Sequence, residues 1–575
     1  MRWPVASRWA AAALAFACVA CVHKPTIPEL TEEFVYTALS FSPSAAAAAG
    51  LHEYKGLQFD GLLDDISPAA TSRQRAFYQD FNQRLTKIDA EKLSPGDRAD
   101  LAILQDRTGL ALLELDRIHS PLHNPALYTE ILGRALFTPY AIEYAPKAQR
   151  FRDIVSRLRL VPLFLEQAGS NLSSVPAAWC KDAIQENQGN IDLVDSELRN
   201  AAPPELRQEY GRAAGIALPA MHVFQDLLTN RLQYLDNYNW RLGADLYGRK
   251  FRLALESAGS AQDVLESAEK RLVSIRERMY NLALPLYLKL PSARKDVESM
   301  QIFERQQTVI GAVLANIAGR SPAAQSDVDA ARKDVEEARS FVRRLGLITL
   351  PANGNLQVAP APAFARAVNF AGGFDPAPPL EPQLNAFYWV TGANLGRCGF
   401  YSLKLLTLRE AIPGRWVQMQ RASALEPKPR RLLRSVFGNS AYIAGWAEYA
   451  AQLAIDAGYL DHSPELALMF AKERLRVTLN AVLDVRLHTL DMSDEEALDA
   501  MRRGAFEDTE ESAEELQAAK LTSCQRPAAF VGWAKWLKAR ADYQAQHGGA
   551  AAEFHNAALK QGAVPMSQLV DVLAR

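Results

Sequence analysis

Cysteine is scarce in this chain: 575 residues carry five. Cys18 and Cys21 lie near the start, and Cys180, Cys398 and Cys524 stand alone far downstream. Three such thiols allow one disulfide at most, so bridges do not frame the fold. Without a C-x-x-C spacing they read as packing residues. A bias of charge is also missing. Lys and Arg total 64 against 66 Asp and Glu, a net charge of −2, which leaves neither a nucleic-acid footprint nor an anionic-membrane one. After the first twenty residues no run reaches the ~18 consecutive apolar residues that a membrane span needs. There is no internal repeat, no low-complexity linker, no Walker loop, no Gly-x-Ser-x-Gly elbow and no Rossmann glycine fingerprint. His119 and His123 are four apart, but Pro121 and Pro125 interrupt any shared helical face. Asp60, Asp64 and Asp65 lack the glycine and terminal glutamate of a calcium loop.

What the chain does have at its start is an export signal. Arg2 and Arg8 give a positive n-region, and Ala10 to Ala17 a short apolar h-region. Val19-Ala20-Cys21 resembles a lipoprotein signal with Cys21 as the lipidated residue, although Cys18 stands where leucine is usual. The alternative is ordinary cleavage near Ala20. The expectation is a signal over 1–20, a tether over 21–29 and one large domain over 30–575. The protein is then exported and anchored in the cell envelope through Cys21, or soluble and secreted if Cys21 stays unmodified.

Apolar residues make up 49% of the chain, ample for a large core. Over 30–350 the texture is helical with short breakers. Ser94-Pro95-Gly96-Asp97 reads as a turn, followed by a helix carrying Leu101, Leu104, Leu110 and Leu113. Between 351 and 392 prolines and Asn353-Gly354 exclude continuous helix. Phe387-Tyr388-Trp389-Val390-Thr391 reads as a strand there. Helices resume over 393–575: Ser463-Pro464-Glu465 is an N-cap with proline in the first turn, and Ser493 to Glu496 a capping box.

Inside the last segment lies Arg409-Glu410-Ala411-Ile412-Pro413-Gly414-Arg415, answered by Ala444-Gly445-Trp446-Ala447-Glu448-Tyr449. This resembles the pattern His-Glu-x-x-Pro-Gly-His followed by Glu-Gly-Trp-Ala-x-Tyr. That pattern marks a large family of secreted bacterial metallopeptidase-like proteins, domain of unknown function 885. Asn124-Pro125 with Tyr128, the run Trp240 to Tyr247, and Phe554-His555-Asn556 with Gly562 to Pro565 extend the likeness over nearly the whole mature chain. The resemblance implies a mostly α, gluzincin-like peptidase fold with a deep cleft and a small β-sheet or hairpin before the active-site-type helix. It also implies a strand edge lining that cleft.

The resemblance further implies zinc held by residues at 409, 415 and 444, with Glu410 as general base. Here those ligand positions are Arg409, Arg415 and Ala444. A guanidinium has no acceptor lone pair and alanine has no donor atom, so no metal or other cofactor is expected. In a regular helix, positions six apart point about 240° apart; Pro413-Gly414 supplies the bend that brings 409 and 415 together. Glu448, Asp484, His488 and Arg540 fall on family positions and are candidate retained cleft residues. In the family the histidine would steady an oxyanion. Phe530 stands where the family has tyrosine, and Arg486 where it usually has glycine.

Two readings of the arginines follow. They form ion pairs with Glu410, Glu448 or Asp484 and fill the old cleft, or they bind an anion or peptide carboxylate. Function accordingly divides three ways. The first is an inactive peptidase homologue that binds peptides or an envelope protein. The second is a metal-free hydrolase using Glu410, Asp484 and His488. The third is a structural envelope lipoprotein with a vestigial cleft. No nucleic-acid partner is expected, and membrane contact only through the lipid on Cys21.

Overall fold

The computed structural model describes residues 25–255, 259–294, 296–319, 327–352, 355–362, 372–391 and 395–574, with side chains from 399 onward in the last stretch. The signal sequence and Cys21 lie outside the described residues. Two of the lone cysteines, Cys180 and Cys524, are buried free thiols.

The first described helix, Ile27–Ser40, opens with a capping box: Thr26 accepts from Glu29 N, and the Glu29 side chain accepts from Thr26 N. It packs with Pro68–Leu85 and Pro95–Leu113 through Leu30, Phe34, Phe81 and Leu104. Ser94 caps the Pro95–Leu113 helix by accepting from Asp97 N. The apparent turn at Ser94 to Asp97 is thus already the first helical turn, because proline at N1 gives up an amide that would have no partner there. A second group of helices follows: Ala126–Ala141, Lys147–Asn171, Ala177–Asp192 and Arg207–Asn230. These share a core that includes Leu132, Phe151, Leu158, Cys180, Tyr210, Met221 and Phe224.

Two further helices, α1 (Gly243–Leu255) and α2 (Ala261–Tyr287), lead toward the C-terminal half. The proline-rich region then supplies a three-stranded sheet. Its strands are β1 (Leu356–Pro360), β2 (Gly372–Asp375) and β3 (Ala386–Val390), in the order β1-β3-β2. β1 runs parallel to β3, with Val358 opposite Tyr388, and β2 runs antiparallel to it, with Phe374 opposite Tyr388. The expected strand is therefore present but is not an edge. β3 is paired on both sides, its mostly buried side chains suit that central place, and the outer strands of the sheet are β1 and β2.

The remaining helices carry the site: α3 (Leu395–Glu410, interrupted at Gly399), α4 (Arg415–Ala422), α5 (Ser440–Asp456), α6 (Pro464–Thr489), α7 (Thr509–Leu521) and α8 (Pro527–His547). The fold is mostly α with small sheets, as the sequence leads one to expect. α5 and α8 cross closely because both carry glycine at the contact. A Cβ on Gly445 would lie 2.2 Å from the Gly532 carbonyl carbon, and one on Gly532 would lie 1.8 Å from the Ala441 oxygen. Among the described residues, no helix is long and apolar enough to cross a membrane.

Candidate functional site

The bend between α3 and α4 is built by its own sequence. α3 ends at Glu410, and Ala411 N and Ile412 N both donate to Thr407 O. The Ile412-Pro413 peptide is cis. Gly414 passes so near the end of α3 that a Cβ there would lie 1.8 Å from Arg409 O; only glycine fits. From α5, the Trp446 indole donates to the carbonyls of both Pro413 and Gly414 at 3.1 Å. Trp446 is fully buried. The Pro-Gly pair and the tryptophan thus form one structural device: the indole gives the Pro413 carbonyl a donor and adds to the bond that Gly414 O receives from Gln418 N at 3.2 Å.

This device holds the arginines against carboxylates. Arg409 Nε lies 2.8 Å from Glu448 Oε1, and its Nη1 lies 3.6 Å from Glu473. Arg415 Nη1 lies 3.2 Å from Glu410 Oε2. Arg415 is the first residue of α4, at the positive end of the helix dipole, and Glu410 offsets that unfavourable placement. Glu448 also takes Arg474 Nη1 at 3.2 Å. The network continues along α6 from Glu473 to Arg476 at 3.0 Å. It ends at Glu515 of α7, which receives Arg526 and Asn480, both at 2.6 Å. The ion pairs to Glu410 and Glu448 match one of the two readings of the arginines. Asp484 takes no part in them.

Charge and burial pull against each other here. Burial alone would lower the Arg409 pKa, yet Glu448, Glu410 and Glu473 outweigh it and hold the guanidinium charged. Arg474 is the opposite case: burial pushes it down to about 10 despite Glu448. It also lies flat on Trp533, with its Cζ 3.6 Å from the ring centre. Glu515 is desolvated, but Arg526 and Arg476 hold its carboxyl down at about 2. Glu507, buried near Glu515 with neither oxygen hydrogen-bonded, is pushed up to about 8.

Other candidate residues lie elsewhere. Ala444 sits on α5 one turn before Glu448 and packs at the margin of an apolar cluster. Asp484 is fully buried and accepts from Tyr247 Oη at 2.6 Å and Cys524 N at 2.9 Å. His488 accepts from Leu242 N on Nδ1 at 3.4 Å and donates from Nε2 to Thr522 O at 3.0 Å, with Trp240 and Tyr247 against its ring. Asp484 and His488 therefore anchor the Trp240 to Tyr247 run and the loop before α8. Phe530 is buried in the core beside α6. Arg540 bonds Tyr449 Oη at 3.4 Å and Gln544 at 3.1 Å. Arg486 pairs with Glu269.

Sequence reasoning missed Glu473, Arg474, Glu515 and Arg526. The available signal was Glu473-Arg474 set among Leu475, Val477 and Leu479, since charges within a buried stripe need partners. It missed the role of His555 as well. Tyr449 donates to His555 Nε2 at 2.7 Å, and His555 Nδ1 donates to Leu347 O at 3.0 Å. The closing motif thus braces the Trp446 region.

Zinc requires three lone-pair donors around an open position. Positions 409, 415 and 444 present two guanidinium groups and a methyl group, so the residues present do not fit that metal. Among the described residues, no group of three or more His, Cys, Asp or Glu side chains is placed to hold a metal ion.

A family model described as a bacterial protein of unknown function, DUF885, matches residues 43–573. The chain belongs to that family. Among solved structures, it is similar to a candidate lipoprotein of unknown function from Shewanella oneidensis. That likeness has 21% identity over 96% of this chain and 100% of the other, and a TM-score of 0.75. It is also similar to a candidate lipoprotein from Colwellia psychrerythraea, at 17% identity over 95% and 98% of the two chains, with a TM-score of 0.73. At these identities the likeness establishes a shared fold for this DUF885 member. No curated protein matches the chain.

Proposed function

We propose that this chain is a non-catalytic relative of a zinc peptidase, exported and anchored through Cys21, whose metal centre has been replaced by an internal ion-pair network. The observation that carries the reading is Arg409 against Glu448, beside Arg415 against Glu410. Both arginines occupy ligand positions of the family pattern, and both are already matched by carboxylates. Zinc would bring +2 to such a pocket; the two guanidinium groups bring the same charge without a Lewis acid or an activated water. The candidate-lipoprotein descriptions of the two similar structures support the envelope placement. A structural or partner-holding role in the envelope follows, with the cleft vestigial.

Peptide capture by the arginines is the weaker reading, because their charge is spent on Glu410 and Glu448. Metal-free hydrolysis is weaker still: Glu410 is paired with Arg415, and both nitrogens of His488 are committed to backbone. The test is metal analysis of the full chain, with hydrolysis of a peptide mixture measured with and without added zinc. Zinc far below one per chain and no hydrolysis are expected. Stoichiometric zinc, or hydrolysis abolished by Glu410→Gln, would overturn the reading.

A further inference from the structure

Away from the ion-pair network, the connection 376–385 between β2 and β3 crosses to the N-terminal helices. Leu380 N donates to Ala49 O at 3.1 Å. Gly50 lies so close that an added Cβ would meet Glu381 Cγ at 3.1 Å. Side chains fasten the connection as well: Arg431 donates to Pro379 O at 3.3 Å, Asn355 to Gln383 O at 2.8 Å, and His52 holds Glu381. The His52 Nδ1 lies 2.8 Å from Asp60 Oδ1, and its Nε2 lies 3.2 Å from Glu381 Oε2. A neutral imidazole has one N–H and can donate to one of these carboxylates; only the imidazolium donates to both.

The surroundings select the charged form. Tyr144 stacks on the ring with centroids 4.8 Å apart and donates to Asp153 at 2.8 Å. Asp60 and Asp153 share this corner with buried Arg157, whose guanidinium goes to the backbone oxygens of Ala135 and Phe59. The hydrogen bond to Asp60 contributes most to holding the His52 pKa above its ordinary value; desolvation opposes it, and Glu381 adds to the rise. On its other side the strap lines a small apolar pocket through Pro376, Pro379 and Pro382, facing Met419 of α4.

We propose that His52 is a pH-operated latch: as an imidazolium it bridges Asp60 and Glu381 and so tightens the 376–385 strap on the 49–60 segment, and loss of its proton removes one of those two ties and loosens the strap there. Because the folded pKa is raised, the double tie is complete below the ordinary histidine value and is lost as pH rises through the folded pKa.

Hydrogen exchange of the 376–385 amides tests the latch, using the full chain at pH 6 and pH 8.5 with rates corrected for intrinsic chemistry. The parent is expected to exchange several-fold more slowly at pH 6. His52→Gln, which cannot carry the charge, is expected to exchange at the faster rate at both values. A parent strap indifferent to pH, or a variant that keeps the parent's pH response, would overturn the proposal. NMR titration of His52 in the unmutated chain is a second reading: a pKa above the ordinary histidine value supports the latch, and one at or below it refutes it.

Discussion

Removing the Glu448 carboxylate would strand the buried Arg474 guanidinium and leave Arg409 with Glu473 alone. Loss of one partner from a buried ion pair costs about 3–5 kcal/mol. Glu448→Gln should therefore lower unfolding free energy by roughly that amount in denaturant titrations. Arg415→Gln should cost less, because its side chain is 30% exposed and the Glu410 it leaves behind still has the charge of Arg409 nearby. Equal effects would mean that burial does not govern this network. His555 gives a second expectation. Burial depresses its pKa to about 4, so its neutral form is bound to the fold while the unfolded chain titrates near 6.5. Its contribution is fully present above about 6.5 and is lost as pH falls toward 4, by at most about 3 kcal/mol. His555→Gln should flatten the acid limb of stability relative to the parent; identical slopes would refute this. Positions 409, 415 and 444 were singled out in the sequence because a pattern fixed their spacing. Their partners were only partly so: Glu410 and Glu448 were foreseen, whereas Glu473 and Arg474 reach the site through the packing of α6, which no local spacing encodes.

At the scale of elements, the crossing of α5 and α8 depends on two glycines. Gly532→Ala places a methyl group against the Ala441 carbonyl, and overpacking of that kind costs about 3 kcal/mol or more. Gly215, inside the Arg207–Asn230 helix, has nothing within 4 Å of a built Cβ. Gly215→Ala should instead stabilise by about 0.5–1 kcal/mol through helix propensity. Thermal unfolding of the two variants should move in opposite directions, and a shared direction would contradict the close-crossing argument. Caps at Ser463 and Ser493 were readable because they act within four residues. The strand at Phe387 to Val390 was readable from its β-branched and aromatic content. Its central position was not, because pairing order in a sheet is set by contacts far apart in sequence.

At the scale of the whole molecule, the account rests on exchange of charge at one place. The bend at Pro413-Gly414, its lock by Trp446 and the carboxylates of Glu410 and Glu448 are present. On the proposed reading, Arg409, Arg415 and Ala444 are what separates this site from a zinc site. Replacing the arginines with histidine would unmask Glu410 and Glu448, and Ala444→Glu would add a further negative charge, a field that a divalent cation would satisfy. The most direct measurement is calorimetric zinc titration of the full chain carrying Arg409→His, Arg415→His and Ala444→Glu beside the parent. The account predicts one-to-one, tight binding by the triple variant and no comparable binding by the parent or by any single substitution, since one ligand leaves zinc weakly held. A folded triple variant that binds zinc no better than the parent would contradict it.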